Sequence, residues 1–156
     1  MDKKDLDNLK KICKDLRRRV GRIEQTIVRK NSIHPIKIRF DEDEDLIDVV
    51  QKVTCELWDV TLEQLLSKRR GRHLVNARIS AVHLAYMDYG LGNTSEIGSR
   101  FGGRDHSTIS REVESADDLL AINDLAFCEP HYRAKSTLDV RFDSIKNNGH
   151  PINYQI

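Results

Sequence analysis

The sequence predicts an all-α protein: a small helical bundle that contains a helix-turn-helix, preceded by an N-terminal amphipathic or coiled-coil helix. Three observations predict it. Apolar residues recur at three- and four-residue intervals in several separate stretches. Capping residues and glycines fall at the ends of those stretches. Aromatic residues make up only 6% of the 156 residues, which argues against a large all-β sandwich.

The first element is the long amphipathic stretch of residues 1–30. Leu6, Leu9, Cys13, Leu16, Val20, Ile23 and Ile27 alternate by three and four, the a/d spacing of about three heptads. Leu9 and Leu16 fall at d, and Val20 and Ile27 at a, a choice that favours a parallel pair of helices. Cys13 at an a position and Gly21 on the outer face weaken the pattern. The spacing admits two readings: a homodimer through residues 6–27, or an amphipathic helix packed on its own domain.

Residues 31–44 read as a linker with an acidic run. Asn31 to Pro35 break the helix, because proline disfavours helical geometry in the residue before it. Ile36 to Phe40 alternate apolar and basic like a short extended segment. Asp41 to Asp45 form an acidic lead-in whose charge complements the start of the next helix.

Residues 45–122 carry the next group of elements. Leu46, Ile47, Val49, Val50, Val53 and Leu57 mark a helix over about residues 45–58. Thr61 caps a short helix that reaches Leu65 and Leu66. Ser67 to His73 form a basic loop with Gly71 in it. Val75, Ile79, Val82 and Tyr86 share one stripe of a helix over about 75–89, and Gly90 to Asn93 turn. Thr94 reads as the cap of a short helix with Ile97 and Phe101 on its buried side. Gly102 and Gly103 end it, since glycine takes positive φ at a helix C-terminus without a steric cost. Asp105 caps the following helix, whose buried stripe is Ile109, Val113, Ala116 and Leu120. Residues 123–156 hold a further helix, starting near Pro130, and a tail without a role legible in the sequence.

Charge narrows the class. The net charge of +1 conceals +6 in residues 1–30, +2 in 31–40, −8 in 41–66, +5 in 67–111 and −4 in 112–156. Such segregation assigns different purposes to different faces. No apolar run approaches the roughly 18–20 residues that span a bilayer, so no membrane partner is expected. The charged first residues resemble no secretory signal. Cys13, Cys55 and Cys128, odd in number and scattered, suit reduced thiols in a cytoplasmic protein. Cys128 and His131 are two candidate ligands where a zinc site usually needs four, so no metal is expected. Asp105, His106 and Ser107 are triad residue types, but as neighbours on a helix start they cannot form the relay, and no enzymatic role is expected.

The pair of helices over residues 94–121 presents His106, Ser107, Thr108, Ser110 and Arg111 at the start of its second helix. A recognition helix reads the major groove with those positions. Periodicity alone does not separate that arrangement from an ordinary helical hairpin.

Phe101-Gly102-Gly103-Arg104-Asp105-His106-Ser107-Thr108-Ile109 resembles the signature Phe-Gly-Gly-Arg-Asp-His-Thr-Thr-Val of the C-terminal DNA-binding domain of the bacterial replication initiator DnaA. Leu65-Leu66-Ser67-Lys68-Arg69-Arg70 is similar to a second motif of that family. The likeness covers about residues 45–121. It implies double-stranded DNA as partner, with Arg70 in the minor groove of an A·T-rich box. It also implies a DNA contact for Arg78, major-groove reading by Arg104, Asp105, His106, Ser107 and Thr108, and phosphate contacts for Lys68, Arg69 and Arg72. Ser95 and Arg111 complete the candidate set. The chain departs from the family at Asn76-Ala77-Arg78-Ile79, where Arg-Pro-Arg-Gln is common, and at Ser107, where the family has Thr. These 156 residues contain no Gly-x-x-x-x-Gly-Lys-Ser/Thr loop, so no cofactor and no nucleotide are expected. The implied function is sequence-specific binding at DnaA-box-like sites in regulation of replication initiation or transcription. The competing reading is an oligomerising interaction adaptor with mainly non-specific DNA binding.

Overall fold

The structure, a computed structural model, describes residues 2–32 and 35–147, and the side chains of 2–23 and 35–144 among them. Seven α-helices and no strand occur among the described residues: α1 (Lys3–Ser32), α2 (Leu46–Trp58), α3 (Leu62–Leu66), α4 (Arg72–His83), α5 (Thr94–Arg100), α6 (His106–Ala121) and α7 (Leu125–Asn147). The fold is an all-α bundle with a helix-turn-helix formed by α5 and α6. Ile27 and residues 33–34 of the expected helix break involve positions or side chains outside the described set, while Asn31 and Ser32 still belong to α1.

Local chemistry sets most helix starts. Asp45 caps α2 by accepting from the Ile47 and Asp48 amides. Thr61 and Gln64 form a reciprocal capping box at α3. Asp105 accepts from the Thr108 amide at 2.8 Å to start α6. The cap of α5 is Asn93, paired reciprocally with Glu96, and Thr94 is the first helical residue, so the helix starts one position earlier than the sequence suggests. Two boundaries also differ. α4 begins at Arg72, so Arg72 and His73 lie on a helix rather than in the loop. α7 begins at Leu125 because Asp124 caps it through the Phe127 amide, and Pro130 lies inside the helix.

The core is built from Val49, Val50 and Val53 of α2, Ala77, Ala81 and Val82 of α4, Ile97 of α5, Ile109 and Val113 of α6, and Phe127, Leu138 and Phe142 of α7. Packing therefore continues across residue 122, and α7 completes the same core as the helix-turn-helix. The linker is also packed. Ile38 and Phe40 lie against the core, the Ile36 amide donates to Thr137 Oγ1 at 3.1 Å, and Arg141 donates to the Asp41 carbonyl at 2.8 Å. α1 stands apart in burial: Leu6, Leu9, Ile12, Leu16, Val20 and Ile23 are 42–58% exposed.

Candidate nucleic-acid interface

The loop between α3 and α4 and the turn between α5 and α6 are one mechanical unit. The Ser67 carbonyl accepts from Arg78 Nη2 at 2.6 Å and from Arg104 Nη2 at 2.7 Å. Arg78 Nε also donates to the Leu65 carbonyl at 2.9 Å, and Arg104 Nη1 donates to the Phe101 carbonyl. Glu112 on α6 stands 3.5 Å from Arg104 Nε and offsets the paired guanidinium charges. Burial and the charge of Arg104 lower the Arg78 pKa, while burial raises that of Glu112 against the pull of both arginines.

The backbones touch as well. A Cβ on Gly102 would lie 2.3 Å from the Leu66 carbonyl oxygen, and Gly102 has φ +81°. A Cβ on Gly98 would lie 2.0 Å from the Arg104 carbonyl oxygen. Only glycine allows the loop, α5 and the start of α6 to approach this closely.

This geometry redistributes the candidate residues. Arg78 is 4% exposed with its head turned onto loop carbonyls, so it braces the loop and is not an open DNA contact. Arg104, with 12% side-chain exposure, is held the same way and is not an open major-groove reader. Asp105 is exposed but committed: it accepts from the Thr108 amide and the Ser107 hydroxyl, which hold its carboxyl down at about 2. Ser107 is correspondingly tied to Asp105. His106 and Arg111 are exposed on the first turns of α6, with Thr108 half-buried beside them. Lys68, Arg69 and Arg70 are exposed, and no ion pair engages them among the described residues. Arg72 reaches Asp124 at 3.4 Å but stays 81% exposed. Ser95 is exposed on the first turn of α5. Sequence reasoning missed Glu112, whose only sequence signal is its place on α6 one turn beyond Thr108.

A bundle whose penultimate helix pair carries an exposed, well-capped second helix beside a free basic loop defines a DNA-binding helix-turn-helix domain. The family described as bacterial dnaA protein helix-turn-helix matches residues 47–115, and that segment is similar to a DnaA-type helix-turn-helix domain. The chain is 37% identical over 86 residues to the chromosomal replication initiator protein DnaA of Brucella abortus, which covers 55% of this chain and 16% of that protein. It is 39% identical over 74 residues to the same-named protein of Flavobacterium psychrophilum, covering 47% of this chain and 15% of that protein. The chain thus spans about one sixth of the length of these relatives. Among the described residues no helix is long and apolar enough to cross a membrane.

Proposed function

We propose that this protein binds double-stranded DNA sequence-specifically at DnaA-box-like sites and so acts in regulation of replication initiation or transcription. The α6 start enters the major groove with His106, Ser107 and Thr108, while Arg70 enters the adjacent minor groove. Lys68, Arg69, Arg72, Ser95 and Arg111 hold the phosphates. The observation that carries the reading is the Ser67 carbonyl, shared by Arg78 and Arg104. It fixes the basic loop against the recognition helix, so that two grooves are read with a set spacing.

The second part of the reading concerns α1. Its a/d residues from Leu6 to Ile23 are exposed. A second copy in parallel register covers them and sets Asp5 at a g position against Lys10 of the other copy at e. The dimer carries two recognition helices to paired boxes.

Fluorescence anisotropy against a duplex with one box and a scrambled duplex, across a salt series, tests the first part. Base readout gives a tighter box complex that persists as salt rises. Equal, steeply salt-dependent binding to both duplexes refutes it and favours the adaptor reading. Arg70→Ala with His106→Ala abolishes box preference. Sedimentation of the full chain and of Leu9→Asp/Leu16→Asp tests the dimer, and a monomeric parent at high concentration eliminates it.

A further inference from the structure

Behind the recognition helix lies a buried cluster that DNA binding does not use. It joins three elements: the end of α4, the one-turn π-helical segment Leu84–Asp88 that continues it, and α7. In an α-helix, residues five apart diverge by about 140° around the axis. The π turn, with the Tyr89 amide on the Leu84 carbonyl at 3.0 Å, is wider and brings Asp88 back to the face of His83. His131 of α7 meets the same point, its ring 5.3 Å from that of His83 in an edge arrangement.

One ring nitrogen of His83, one of His131 and a carboxylate oxygen of Asp88 all lie within 4.8 Å of one another. His83 Nδ1 and Asp88 Oδ2 are buried and have no hydrogen-bond partner among the described residues. They stand 3.4 Å apart, beyond the usual length of about 2.9 Å for an N–H···O bond. Two ligands of a tetrahedral zinc ion, each about 2.05 Å from the metal, stand about 3.3 Å apart. The outer nitrogens are already occupied. His83 Nε2 is 2.9 Å from Asp117 Oδ1, and His131 Nδ1 is 2.8 Å from Ser80 Oγ. Imidazole ligands are typically oriented by such outer carboxylate and hydroxyl partners.

We propose that His83, Asp88 and His131 form a Zn²⁺ site, with water completing the coordination and Asp117 and Ser80 orienting the two imidazoles. The metal clamps α7 to the end of α4. Because Asp117 belongs to α6, it also fixes the recognition helix on the bundle from behind.

The test uses the full chain, freed of metal with a chelator and titrated with ZnCl₂ by calorimetry, with Co²⁺ as a spectroscopic probe. One equivalent binds per chain, and the thermal midpoint rises with Zn²⁺ concentration. Bound Co²⁺ shows visible d–d absorption without thiolate charge transfer, which separates this site from the three cysteines. Asp88→Asn keeps the helical circular dichroism of the parent and weakens binding at least about 100-fold, and Asp117→Asn weakens it about 10–100-fold at unchanged stoichiometry. Two results overturn the site: no stoichiometric binding by the parent, or Asp88→Asn binding as tightly as the parent. Either leaves His83 flanked by Asp88 and Asp117 with no metal between them.

Discussion

Arg104 separates a brace from a reader, and its removal has a size that can be worked out. Its guanidinium donates to the Phe101 and Ser67 carbonyls and faces Glu112 at 3.5 Å, with both side chains only 12–13% exposed. A hydrogen bond from a charged group contributes about 1.5–3 kcal/mol. Removing one partner of a fully buried ion pair costs about 3–5 kcal/mol, because the other charge is left behind. The slight solvent access at Arg104 and the retained Arg78 bond to Ser67 bring Arg104→Ala to about 2–4 kcal/mol. For a domain of this size that is roughly a 10–25 °C fall in the thermal midpoint. The loss carries a pH signature. Burial already raises the Glu112 pKa, and without Arg104 that rise is less opposed. An acid whose folded pKa is raised costs stability as pH climbs from its unfolded pKa through its folded one. The deficit of Arg104→Ala is therefore largest at neutral pH and shrinks on acidification, and Glu112→Gln added to Arg104→Ala restores part of it. Thermal melts of the parent and the two variants between about pH 5 and 8 give the answer. A shift smaller than about 4 °C, with box binding lost, would refute the bracing role and return Arg104 to the major groove.

Four shorter predictions follow from the same geometry. Gly98→Ala places a Cβ 2.0 Å from the Arg104 carbonyl oxygen, so it destabilises by about 3 kcal/mol or more in urea melts, whereas Gly71→Ala, with open space at its Cβ, changes little. Lys68→Ala weakens box and scrambled duplexes alike and reduces the salt slope by about 0.9, while Arg70→Ala reduces the difference between the two duplexes by about 1–3 kcal/mol. Cys13 is exposed on a single chain but lies in the proposed α1 seam, so at about pH 8 it alkylates fast in a monomer and is protected in the parallel dimer. Cys55, half-buried and pushed up to about 11 by burial and by Glu56, and buried Cys128 react slowly, so mass spectrometry finds at most one early adduct in the native chain. The Asp105 cap, held down at about 2 by the Thr108 and Ser107 bonds, contributes stability that is complete above its unfolded pKa and is lost as pH falls toward 2; Asp105→Asn flattens that acid limb in far-ultraviolet melts.

Much of the interface is legible in the sequence because its instructions are local. A cap acts across three residues, so Thr61 with Gln64 and Asp105 with Thr108 can be read directly, as can the glycines that close α5. The heptad residues of α1 and the buried stripe of α6 follow from helical periodicity for the same reason. Periodicity also separates Ile109 and Val113, which are buried, from His106 and Arg111, which are exposed.

The arginines could not be sorted that way. Arg70, Arg78 and Arg104 carry the same charge within one basic stretch, yet Arg70 is open while Arg78 and Arg104 are turned onto the Ser67 carbonyl. Their fates depend on where a loop 11 and 37 residues away leaves an unpaired carbonyl. A buried cation goes where an acceptor needs it, and that acceptor exists only once α3, α4 and α5 have packed. The π turn makes the same point: an α-helical spacing parts His83 from Asp88, and only the widened turn against α7 brings them together with His131. Local hydrogen bonding and periodicity thus wrote the helices and the family signature into the sequence. Burial, which is set by contacts between distant segments, decided which charges stay open to solvent and which brace the loop.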